Sequence, residues 1–91
     1  MRAQRESKEH YLYNLPVYLL QDLPENVDIK KVLKTIESTI PQVFFQGVDV
    51  VYVGHIQEFE DRGINALYRD GAIYTTNAQS SDEDMIDDIV H

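Results

Sequence analysis

The residues of this chain best equipped for chemistry gather at its C-terminal end. Asp84, Asp87, Asp88 and His91 stand at i, i+3, i+4 and i+7, so on a helix they share one face. Carboxylates and an imidazole so placed can hold a divalent cation, or steady a group that does. A solvated acidic face that keeps the helix soluble is the simpler reading. Asp87 or Asp88 can also pair with His91, and a protonated imidazole holds metal poorly. Elsewhere the chemistry thins out. His55 follows Val53-Gly54 at the end of an expected central strand, and His10 lies in a polar leader. Neither has a partner at metal-ligand spacing, and both read as structural histidines with their hydrogen bonds satisfied. Glu58, Glu60 and Asp61 cluster near His55 but lack the Asp-x-Asp-x-Asp-Gly pattern of a calcium loop. Ser80 and Ser81 have no G-x-S-x-G elbow and serve better as helix caps. Gly47, Gly54, Gly63 and Gly71 are isolated, which excludes a phosphate-cradling loop. The six tyrosines mostly fall in expected strands, as cross-strand packing. Cysteine is absent, excluding disulfides, thiolate metal sites and a Cys nucleophile.

The elements that must position these residues have to fit in 91 residues, room for one hydrophobic core. Hydrophobic residues make up 43% and aromatics 10%, enough to fold despite a net charge of −8. That charge is uneven. Residues 1–57 hold seven acids against six bases, and residues 58–91 hold nine acids against two. Nucleic acid is disfavoured as a partner, since affinity for it comes mainly from Lys and Arg neutralising phosphates. No apolar run is long enough to cross a bilayer. The basic start has no signal-peptide h-region behind it. A cytoplasmic protein is expected.

Residues 1–10 read as a flexible leader and 11–91 as a single α+β domain. Tyr11 to Leu20 favours strand, but Pro16 makes it an edge strand or one that starts near Val17. Ile29, Val32, Leu33, Ile36 and Ile40 trace one helical stripe, with Asp28 as N-cap, Val27 as a staple on Val32 and Pro41 as the stop. Val43 to Val53 is apolar almost throughout, as in a strand buried on both faces, with Gly47 breaking it before Val48. Ile56 to Gly63 reads as a loop or short turn anchored by Phe59. Ile64 to Tyr68 and Ala72 to Thr76 flank Asp70-Gly71, a tight hairpin turn. Ser81, with Asp84 three residues on, opens a last helix whose stripe is Met85, Ile86, Ile89 and Val90. The expected order is β-α-β-β-β-α, a small sheet with an antiparallel hairpin packed against two helices.

That stripe is still running at Val90-His91, without a capping residue, so the domain is expected to be truncated at its C-terminus. The run Asp84-Met85-Ile86-Asp87-Asp88-Ile89-Val90-His91 resembles the approach to the H-E-x-x-H helix of zincin-like zinc metallopeptidases. Ile64-Asn65-Ala66-Leu67-Tyr68-Arg69-Asp70-Gly71-Ala72-Ile73-Tyr74 looks like the paired strands before that helix in bacterial and phage members. The resemblance implies the N-terminal half of a zincin fold, with His91 as the first zinc ligand and Asp87 and Asp88 as its possible supports. It also implies that Asn65, Ala66, Leu67 and Tyr68 form the edge along which a peptide or protein substrate lies. The motif's Glu and second His are not in this chain, so it is expected to bind no zinc by itself and to be inactive alone.

A second function stands beside this one. The acidic half and an exposed stripe of Met85, Ile86, Ile89 and Val90 also suit a non-catalytic module that binds a basic protein surface or dimerises through its last helix.

Overall fold

The clearest element is helix α1, Ile29–Thr39. In the computed structural model, which describes residues 9–90, Ile29, Val32, Leu33 and Ile36 face inward while Lys30, Lys31 and Lys34 stay in solvent. The Asp28 carboxylate accepts from the N–H groups of Lys30 and Lys31 at 3.0 and 3.3 Å, as an N-cap should. No acid in the first turn reaches back to the N–H of Asp28. Asp82, 54 residues downstream, accepts from it instead at 2.9 Å.

Upstream of α1 the chain makes two strands. β1 (Glu9–Leu12) and β2 (Leu15–Leu19) pair antiparallel around the turn Tyr13-Asn14. The expected single strand from Tyr11 to Leu20 is thus a hairpin, and the leader gives way to structure at Glu9. Tyr13 takes the left-handed φ of 59° that the turn needs. Its conformation is held from outside: its N–H donates to Glu37 at 2.6 Å, and its hydroxyl meets the carbonyls of Glu37 and Ile40 at the end of α1. Tertiary contacts therefore override the local preference of a bulky residue. The expected flexibility of residues 1–8 and the placement of His91 lie outside the described residues.

Pro41 ends α1, and Gln42–Phe45 form a 3-10 turn where strand was expected. Gly47, at φ 91°, then leads the chain into β3, Val50–Val53. β4 (Ala66–Arg69) and β5 (Ala72–Thr75) complete a five-stranded mixed sheet of order β1-β2-β3-β5-β4. β3 lies at its centre, parallel to β2 and β5. It is not covered on both sides, however. Val51 and Val53 are fully buried, whereas Val50 and Tyr52 are half-buried. The register lines up Tyr18, Tyr52 and Tyr74 across that second face, with stacked rings 5.8 and 5.3 Å apart. Each such contact contributes about 0.5–1.5 kcal/mol beyond area burial.

The β4–β5 turn is as its sequence demands. Asp70 and Gly71 both take positive φ, 53° and 83°. Gly71 has a second reason to be glycine: a Cβ there would stand 2.7 Å from the Asp49 carboxylate.

The segment Ile56 to Gly63, expected as a loop or short turn, holds a short helix, α2, Gln57–Arg62. Gly63 closes it in the left-handed conformation at φ 65°, and the Ile64 N–H returns to the Phe59 carbonyl at 3.0 Å. Phe59 is its buried anchor, as expected. Glu58 receives Arg69 at 2.6 Å and Arg62 at 3.3 Å, fastening α2 to the hairpin. The Arg69 hydrogen bond, ahead of the charges around it, holds the Glu58 carboxyl below the usual carboxylate range.

Helix α3, Asp82–Val90, packs against α1 and β5. Met85 is fully buried and Ile89 is 3% exposed, in one core with Val32, Ile36, Val51 and Ile73. This corrects the expected exposed stripe: Met85 and Ile89 belong to the molecule's own core, and Ile86 and Val90 pack on its margin. Burying a side chain such as Met85 contributes roughly 1.5–3 kcal/mol. Overall the chain is α+β, with three helices rather than two and the order β-β-α-β-α-β-β-α. No helix among the described residues is long and apolar enough to cross a membrane.

Candidate functional site

β4 is an edge strand, hydrogen-bonded to β5 on one side and, among the described residues, paired with no strand on the other. Beneath that open edge runs a groove of about 520 Å³. Asn65, Ala66, Leu67 and Tyr68 form one wall. Phe44 and Phe45 of the 3-10 turn, Ile73 of β5, and Asp88, Ile89 and Val90 of α3 line it as well. The fold thus brings the four expected edge residues to the last turn of α3, although they lie about twenty residues away in sequence. Asn65 and Tyr68 are exposed, with Ala66 and Leu67 half-buried between them. The Tyr68 hydroxyl donates to the Gly47 carbonyl at 3.1 Å, tying the strand to the loop beyond the 3-10 turn.

The acids of α3 do not converge. Ser81 caps the helix by accepting from the Asp84 N–H at 3.2 Å, as the S-x-x-D spacing predicts. The Asp84 carboxylate turns to the Ser80 hydroxyl, Asp87 is exposed, and Asp88 accepts from Gln79 Nε2 at 2.9 Å. Among the described residues no three His, Cys, Asp or Glu side chains are placed to hold a metal ion. The described part of the chain therefore does not fit a zinc ion, and His91 lies outside it.

Gln79 escaped the sequence reading. It is buried, and its Nε2 also donates to the Thr76 carbonyl at 2.8 Å. One side chain thus bridges the end of β5 to the last turn of α3. A glutamine in a polar loop carries no pattern that announces this, because its partner nine residues on is set by packing rather than helical spacing. Phe44 and Phe45 were legible as apolar but placed in a strand; Pro41 before them was the available signal for a turn.

The other histidines are separate from the groove. His55, exposed at the end of β3, lies 3.2 Å from Glu60. His10 is buried on β1 and, contrary to expectation, its Nε2 has no hydrogen-bond partner among the described residues. Burial, aided by Lys30 and opposed by Asp28, holds its imidazole below the usual histidine range. Comparison with protein-family models, with curated proteins and with solved structures gave no match to this chain.

Proposed function

We propose that this chain is the N-terminal part of a zinc-dependent metallopeptidase, in which α3 leads into the metal-binding motif and β4 receives the peptide. The observation that carries this reading is the groove joining the open edge of β4 to the last turn of α3. An unpaired strand edge offers backbone donors and acceptors to an extended peptide, and an apolar hollow beside it accepts alternate side chains. Such a hydrolase needs these features next to its metal helix. In this reading His91 would be one ligand of a zinc ion, its other ligands lying outside the described residues, and the metal would supply an activated water for hydrolysis. The chain itself contributes the groove, the strand and the fixed helix. It is expected to hydrolyse nothing alone, since one histidine cannot assemble the three protein ligands of a catalytic zinc.

The test is zinc content. The product of the gene's complete reading frame is expected to carry one zinc per chain by elemental analysis and to lose it in His91→Ala. Peptide hydrolysis by the 91-residue chain above a His91→Ala control would overturn the division of labour. A complete product that neither holds zinc nor cleaves peptides would overturn the peptidase reading and leave the acidic binding module, a cytoplasmic protein that docks on a basic partner.

A further inference from the structure

Resting on the peptide-binding reading of the groove, we propose that it selects extended segments carrying a large apolar side chain and, two residues away, a lysine or arginine. The backbone part of the recognition comes from β4, whose outer edge pairs with no strand among the described residues. An extended segment laid along it points alternate side chains to the same side, about 7 Å apart. One of these sits over the hollow.

The hollow calls for a large apolar group. Phe44 is 54% exposed although its neighbours Phe45, Ile73 and Ile89 are buried. Seating an aromatic or long aliphatic side chain there would remove apolar surface from water on both partners. A methyl group would leave most of the 520 Å³ unfilled.

Charge fixes the neighbouring position. Asp88 lines the α3 end of the groove, and Asp87, next to it, is exposed. Neither has a Lys or Arg within salt-bridge distance among the described residues. Arg62 and Arg69, the two bases of residues 58–91, are both engaged by Glu58. Asp88 has Gln79 as its one hydrogen-bond donor among the described residues. A cation on the ligand at the α3 end of the groove therefore meets the Asp88 carboxylate with no competing Lys or Arg paired to it among the described residues, whereas an acidic ligand residue meets repulsion.

The probe is the peptide acetyl-Thr-Phe-Thr-Lys-Thr-amide, titrated into the ¹⁵N-labelled 91-residue chain at low ionic strength. Amide shifts are expected at residues 65–69 and 88–90. Replacing the peptide's Phe by Ala should weaken binding about tenfold. Replacing its Lys by Glu should weaken it about fivefold, a preference that disappears in Asp87→Asn/Asp88→Asn while the Phe preference remains. Equal affinity for all three peptides, shifts confined to another surface, or no shifts at all would each overturn the inference. The zinc measurement on His91→Ala judges the peptidase reading separately, so unselective binding by a zinc-loaded protein would sink the selectivity alone.

Discussion

Gln79 is the residue whose replacement most sharply tests how α3 is held against the sheet. Its Nε2 donates to the Thr76 carbonyl at 2.8 Å and to Asp88 at 2.9 Å, and the side chain is 6% exposed. Gln79→Leu keeps much of the volume, so the cavity contribution is small and the loss falls on two hydrogen bonds. The bond to Thr76 is buried, and an orphaned carbonyl there costs about 1–3 kcal/mol. Asp88 is half-buried, so water recovers part of its bond and about 1 kcal/mol applies, below the usual range for a bond to a charged group. The sum is about 2–4 kcal/mol, a fall in Tm of roughly 8–30 °C for a domain of this size. Thermal unfolding followed by circular dichroism at pH 7 measures it. Gln79→Glu separates hydrogen bonding from shape: its carboxylate cannot donate and stands beside Asp88, so it should be worse than Leu at pH 7. Its deficit should narrow below about pH 4–5, where protonation restores one donor. A Gln79→Leu protein within about 0.5 kcal/mol of the parent, or a Gln79→Glu deficit that ignores pH, would refute the bridge.

Three further outcomes follow from the same geometry. Burial, first of all, lowers the His10 pKa in the fold below its unfolded value, so the unfolded chain binds the extra proton first as pH falls. Its contribution to stability is complete above the ordinary histidine pKa of about 6.5 and is lost as pH falls below it; His10→Gln should flatten the stability profile between pH 5 and 7 in urea titrations. Gly71→Ala must hold φ 83° and displace the Asp49 carboxylate, costing about 1–3 kcal/mol by the same assay. Tyr13→Phe keeps the ring but removes the hydroxyl from the carbonyls ending α1, costing about 0.5–1.5 kcal/mol and increasing amide exchange in the β1–β2 hairpin.

Where the sequence was legible, one element's pattern sufficed to determine it. The stripe Ile29, Val32, Leu33, Ile36 and the cap Asp28 specify α1 without reference to anything else, and Asp70-Gly71 specifies its turn. The errors fall where a distant partner decides. Tyr13 has no local reason to adopt a positive φ; the end of α1, 24 to 27 residues on, supplies it. Residues 57–62 looked like a polar loop because a two-turn helix shows too little periodicity, yet Gly63 as a left-handed cap, acids in the first turn and Arg62 in the last were all visible. The carboxylates of α3 were placed on one face by spacing alone. Spacing gives the direction of Cβ but not the hydrogen bonds to Ser80 and Gln79 that turn the side chains apart. The groove was half legible: its β4 wall was expected, while its aromatic wall was hidden inside a supposed strand.

The anchoring of α3 bears on the proposed function, in which a peptide edge and a metal helix would cooperate only with their separation fixed. Three sets of contacts fix it here. At the N-terminal end Asp82 accepts from the Asp28 N–H, completing from a distance the cap of α1. In the middle Met85 and Ile89 are core residues, so sliding the helix would expose them. Near the C-terminal end Gln79 holds Asp88 to the exit of β5, the strand paired with β4. A groove held in this way is formed in the folded chain itself, so any ligand it takes need not order it first. A merely acidic interaction surface has no need of such a fixed geometry, since charge attracts a basic partner through exposed, mobile side chains as well. The investment of buried contacts in the last turn of α3, next to an open strand edge, is why the peptidase reading is preferred to the acidic module.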